Sequence, residues 1–194
     1  SFDTDVSIEK ARGFLRDFPW PVDAATVEFA YRRDGFEVRS ARLEHAGGRV
    51  EVAGVCPFPL DRPFDLTVIG HDVRINEGLL RAIPPAAAHK LNELQLSGLI
   101  DGRGVVTLGP DGRVEDVAID LTLGDATLRP KPRLLVEAVS AQVTLRLDEL
   151  RLAGVTGLLA GRPVSGGGLV DWRGERRVDL LLRAPALRLD EDIR

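Results

Sequence analysis

Several residue types are scarce in this sequence, and each shortage narrows what the chain can be. There is one cysteine, Cys56, so no internal disulfide can form. Methionine is absent and aromatics make up only 5%, so aliphatic Leu, Val, Ile and Ala must supply the apolar surface. Lysine is confined to Lys10, Lys90 and Lys131, and the arginines are scattered singly along the chain. With a net charge of −4 and a pI of about 5.5, this argues against the basic stripe that nucleic-acid binding needs. No run approaches the ~20 apolar residues of a membrane span, and no signal peptide opens the chain. The sequence starts at Ser1 without Met and stops at Arg194. It therefore reads as a segment of a longer protein, whose targeting it does not report.

Catalytic chemistry finds little to stand on. None of His45, His71 and His89 has a second His or Cys at metal-ligand spacing. His71-Asp72 would put its two side chains on opposite faces of a strand, which does not make a dyad. Cys56 has no nearby activating histidine and reads as a small structural residue. Gly102-Arg103-Gly104 and Ser165-Gly166-Gly167-Gly168 lack the Lys-Ser/Thr of a phosphate-binding loop and read as flat places in strands. The expectation is a protein that is not an enzyme and needs no cofactor or metal.

What is abundant is punctuation and alternation. Hydrophobic residues reach 44%, with 20 Gly and 12 Pro, a mixture suited to many strands and short turns. Ser7 can cap a helix from Ile8 to about Phe18, with Glu9 in its first turn and Phe14, Leu15 and Phe18 on one side, stopped at Pro19-Trp20-Pro21. Trp20 then anchors that helix on a sheet. From Ala25 the period becomes two. Thr26 to Tyr31 and Gly35 to Leu43 flank an Asp34-Gly35 hairpin turn, and Arg49 to Gly54 follows Gly47-Gly48. Phe64 to Ile69 is a further strand. Glu77 to Leu91 reads as a second helical segment, divided at Pro84-Pro85.

Later strands alternate cleanly. Val117, Ile119, Leu121 and Leu123 form one apolar phase, Val143, Leu145 and Leu147 another, and Val178, Leu180 and Leu182 a third. About ten to twelve strands result by this reading. A repeat at an offset of 114 residues relates Asp65-Leu66-Thr67-Val68 to Asp179-Leu180-Leu181-Leu182. The organisation expected is an N-terminal helix and linker over 1–24, a first β repeat with a terminal helical segment over 25–91, and a second repeat over 92–194, cut short at its end.

The apolar phase has two possible destinations. A closed sandwich would bury it against a second sheet; a long curved sheet would leave an aliphatic groove suited to acyl chains. The strand pair from Gly35 to Gly54, the stretch Leu79-Leu-Arg-Ala-Ile-Pro-Pro85 with Leu94-Gln-Leu-Ser-Gly98, and Leu152-Ala-Gly154 with Gly161-Arg-Pro-Val-Ser-Gly-Gly-Gly168 resemble AsmA-like bacterial envelope proteins, the group that includes the TamB type. The resemblance runs from about Thr26 onward and rests on Gly and aliphatic spacing. It implies a periplasmic β-groove, part of a parent anchored in the inner membrane, that moves phospholipid between the two membranes. Its partners would be acyl chains and flanking repeats of the same parent, with membrane contact made by parts of the parent absent from this segment. The groove candidates it points to are Val117, Ile119, Leu121, Leu123, Val143, Leu145, Leu147, Leu180 and Leu182. The competing expectation is a structural or protein-interaction β-module with a closed core and no lipid.

Overall fold

The computed structural model describes residues 4–14, 20–82, 89, 92, 95–131, 134–171, 173 and 177–184. They form one open antiparallel sheet of eleven strands in which spatial order follows chain order throughout. Strands β1 (Thr4–Phe14), β2 (Pro21–Arg32), β3 (Gly35–His45), β4 (Gly48–Pro57) and β5 (Phe64–Arg74) come first. One short helix, α1 (Glu77–Ala82), interrupts the meander. The sheet resumes with β6 (Ser97–Leu108), β7 (Val114–Lys131) and β8 (Leu134–Arg146), then β9 (Glu149–Leu159), β10 (Arg162–Asp171) and β11 (Arg177–Arg183). Because β5 pairs directly with β6, the sheet is continuous across the boundary expected near residue 91.

The hairpins follow the turn chemistry. Ala46 and Gly47 both take positive φ (50° and 85°) between β3 and β4, the conformation a two-residue turn needs to match strand twist. Ala160 and Gly161 repeat it between β9 and β10 (51° and 72°).

The helix expected from Ile8 to Phe18 is a strand as far as Phe14, paired with β2 from Thr4↔Tyr31 to Phe14↔Pro21; residues 15–18 lie outside those described. The local cap and one-face cues yield to pairing with β2, and the strand carries a bulge. Lys10 has φ 57° and the register shifts between Ile8 and Ala11, so two inward residues are spaced by three instead of two. That spacing imitates the i, i+3 signature of a helix. Trp20 is a core anchor, 2% exposed, although it serves a different helix. It clusters with Val22, Ala25, Leu43 and Val73, against which Leu79 of α1 packs. The second helical segment is helical over Glu77–Ala82; Pro84 and Pro85 lie outside the described residues. Asn76 caps it, its Oδ1 accepting from the Leu79 amide at 3.1 Å.

Strands β6 and β7 approach closely on the apolar side. A Cβ built on Gly104 would lie 2.5 Å from Ile119 Cα, and one on Gly102 would lie 2.5 Å from the Leu121 side chain. In a flat antiparallel pair even the facing backbones are 4.5–5.5 Å apart. Strands β6 and β7 are therefore folded toward each other on the face that carries Ile119 and Leu121, and glycine is what lets them close. Gly104→Ala should lower stability in urea by about 2 kcal/mol, the cost of overpacking. Gly124→Ala, where nothing lies within 4 Å, should change it by less than about 0.5 kcal/mol.

Candidate functional site: the aliphatic floor of the sheet

Strand register turns eleven separate alternating patterns into continuous rows. One row passes from Ala11 through Ala25 and Leu43 to Val50 on the first four strands. It continues through Gly70 and Gly102 to Leu121, then through Val143, Leu152 and Gly168 to the backbone of Leu180. Two residues along each strand, and three on β1 across its bulge, lies a second row. It runs from Ile8 through Val27, Ala41 and Val52 to Val68, then through Gly104, Ile119 and Leu145. It ends through Leu150 and Val170 at the backbone of Val178. Both rows cross every strand without a polar or charged residue. At the usual strand spacing the floor is roughly 48 Å long.

The opposite face is of another kind. The row there includes Arg42, Glu51, Arg103, Asp120, Thr144, Arg151 and Asp179. Arg42 Nε pairs with Glu51 Oε1 at 3.2 Å, and the Thr144 hydroxyl donates to Asp120 Oδ1 at 3.0 Å. A depression of about 510 Å³ is lined by Asp101, Arg103, Asp120 and Thr144 of this face together with Leu121 and Val143 of the floor rows, among others. The carboxylate beside His71 is Asp101, 4.0 Å from Nδ1, and both are exposed. Among the described residues no group of three His, Cys, Asp or Glu side chains is placed to hold a metal ion.

Cover over the aliphatic floor is uneven. Toward one margin the floor is buried at Val73, Leu123, Ala126, Val139 and Ala141, and Leu79 of α1 packs on both buried clusters. Away from α1, Val27, Val52, Val68, Ile119, Leu121, Val143, Leu145 and Leu152 are half-buried. The far margin is open.

Six of the nine sequence-predicted groove residues meet here. Ile119 faces Leu145, Leu121 faces Val143, Leu123 faces Ala141 and Val117 faces Val106. Leu147 does not continue the β8 phase, because β8 ends at Arg146; it occupies the following turn and is 48% exposed. The backbones of Leu180 and Leu182 pair with Gly168 and Gly166. The sequence reading missed the first-half members of the rows, Val27, Ala41, Val52 and Val68. Their alternation is visible in the sequence, but bulges at Glu28/Phe29 and Val38/Ala41 hide which residues share a face.

One polar cluster pins the buried margin. Asp23 Oδ2 accepts from the Ala46 amide at 3.1 Å and lies 3.0 Å from His45 Nδ1, while the His45 ring meets Trp20 edge-on at 5.6 Å. The backbone hydrogen bond from Ala46, followed by the one with His45, holds the Asp23 carboxyl below the usual carboxylate range. At Cys56, burial pushes the thiol up. Searches with the chain match no protein-family model, no curated protein and no solved structure.

The lowered Asp23 value carries a sign. Its stabilising contribution is complete above the unfolded carboxylate range near pH ~4 and is lost as pH falls through the lower folded value. Asp23→Asn should reduce the urea midpoint at pH 7. It should also remove part of the acid-side loss of stability, so that the two proteins converge once the Asp23 carboxyl is protonated in the folded state as well.

Proposed function

We propose that the aliphatic floor binds the acyl chains of phospholipids, without catalysis. The observation that carries this reading is the pair of uninterrupted apolar rows, half-buried over most of their length. Each Å² of such surface left in water forgoes about 25 cal/mol, which favours an occupant. An acyl chain suits the floor because it asks for apolar contact and for no polar partner. A closed sandwich would need a second sheet opposite the floor, and the described strands all belong to one sheet.

The proposal extends to the setting. The Gly-spaced strand pairs resemble AsmA-like envelope proteins, and on that basis the chain is a length of periplasmic groove in an inner-membrane-anchored parent. Flanking repeats of that parent would continue the floor, and phospholipid would pass along it between the inner and outer membranes. A second reading, a scaffold or protein-interaction module, draws on β1 and β11 as the edge strands among the described residues, since an edge strand can accept an added one.

A photo-crosslinking residue at Leu121 or Leu145 should capture phospholipid in cells, while one at Arg103 on the polar face should not. Capture of protein instead of lipid at all three positions would overturn the proposal in favour of the second reading. In purified protein, Leu121→Arg should weaken binding of a fluorescent fatty acid roughly tenfold or more, given the cost of a guanidinium in an apolar site.

A further inference from the structure

Two loops on the exposed rim of the open margin carry charge of both signs that nothing nearby neutralises. Arg33 and Asp34 stand in the β2–β3 turn, Asp61 and Arg62 in the β4–β5 loop, and all four are exposed. None of these four side chains forms an ion pair or hydrogen bond with another described residue. The other described aspartates of the rim are taken. Asp111 pairs with Arg113 at 3.3 Å, while Asp148 and Asp171 share Arg173 at 2.7 and 3.7 Å. What the two loops present is a balanced set of two guanidinium groups and two carboxylates.

The two loops act as one unit. The Phe58 amide donates to the Asp34 carbonyl at 2.9 Å, and the exposed rings of Tyr31 and Phe58 lie 5.5 Å apart beside exposed Leu60. The floor runs out to them without a charged side chain. Tyr31, Phe36 and Cys56 pair across β2, β3 and β4, and the next row inward is Phe29, Val38 and Gly54. On β4 the apolar phase reads Val50, Val52, Gly54 and Cys56, about 20 Å from end to end at the usual strand rise. Its inner end, Val50, packs on the Trp20 cluster. One acyl chain fills half of the ~30 Å hydrocarbon core of a bilayer, about 15 Å. A chain laid along β4, methyl end toward Trp20, therefore brings its head to the two charged loops.

We propose that the Arg33–Asp34 and Asp61–Arg62 loops hold a zwitterionic phospholipid headgroup, its phosphate against the guanidinium groups and its ammonium against the carboxylates, and select it over an anionic one. The inference deepens the reading of the floor as an acyl-chain site and rests on it. Charge balance decides the class of head. An anionic head would be repelled by both carboxylates, and an uncharged head would leave all four groups unused. A zwitterion meets both signs. Guanidinium groups suit phosphate through their paired N–H donors, and the faces of Tyr31 and Phe58 add attraction for an ammonium.

The test is displacement of a fluorescent fatty acid from the purified full chain, with circular dichroism confirming that each variant folds. The competitors, of equal chain length and below their micelle concentrations, are lysophosphatidylethanolamine, lysophosphatidylcholine, lysophosphatidylglycerol and monoacylglycerol. Both zwitterionic lipids should displace the probe at about fivefold lower concentration than lysophosphatidylglycerol, the return expected of exposed ion pairs. Asp34→Asn/Asp61→Asn, which leaves an Asn-Gly turn in place, should reverse that order. Asp101→Asn/Asp120→Asn, the same change of charge on the polar face, should keep it. Monoacylglycerol should displace the probe equally from all three proteins. A wild type that takes the anionic lipid as readily as the zwitterions overturns the headgroup site. So does a folded Asp34→Asn/Asp61→Asn variant that keeps the wild-type order. In both cases displacement by monoacylglycerol leaves the floor reading standing. A wild type that binds neither the probe nor monoacylglycerol overturns the floor reading and the headgroup site together.

Discussion

Lateral register is the constraint on which everything else in this molecule depends. A strand with period-two alternation has an apolar side whatever its neighbours do, but eleven such strands make a floor only if every pairing keeps the same phase. A slip of one residue at any interface would turn all following side chains over. Here the phase holds from Ala11 to the Leu180 backbone, and the irregularities that do occur are absorbed by bulges. At Lys10 and Arg39 the chain takes an extra residue so that the next apolar side chain returns to the same face. The apolar rows are thus the sum of ten pairings, each individually ordinary.

Close approach of strands follows from composition within those rows. Gly54, Gly102 and Gly104 occupy apolar-row positions, and the side chains of Leu66, Leu121 and Ile119 lean into the space a Cβ would take. Where a strand carries no side chain, its neighbour can close on that side, and these three glycines mark such close approaches. Aromatics are used at the margins: Trp20 under α1 at one side and the Tyr31–Phe58 group at the other.

Much of this was legible in the sequence, and what was not has definite physical causes. Several strands after Gly35 announced themselves through alternation and Asp-Gly or Gly-Gly turns, and the alternation of Val117 to Leu123 and of Val143 to Leu145 marked part of β7 and the end of β8. Strand β1 was misread because Ser7, Glu9 and the Phe14, Leu15, Phe18 spacing are local helix cues, whereas its pairing with β2 leaves no local trace. Trp20 was correctly read as an anchor, but its partner, Leu79, lies 59 positions further on, and such a contact leaves no local trace. The same limit applies to the rows themselves: Leu121 and Val143 each signal an inward phase, yet only pairing reveals that they face each other and lie opposite Gly102 and Leu152. The exposed rim was invisible for a similar reason, since Tyr31, Phe58, Leu60 and Leu147 are isolated apolar residues until the hairpins bring their tips to one edge.

The central claim is that the floor and not the polar face takes a hydrocarbon chain. Paramagnetic broadening in methyl NMR spectra on adding a spin-labelled fatty acid measures this directly, since it reports which side chains the ligand approaches. The account predicts broadening of the methyl signals of Ile119, Leu121, Val143 and Leu145, with the methyls of Ile69, Thr122 and Thr144 on the other face retained. Broadening centred on Ile69, Thr122 and Thr144, or no selective broadening at saturating fatty acid, would contradict it.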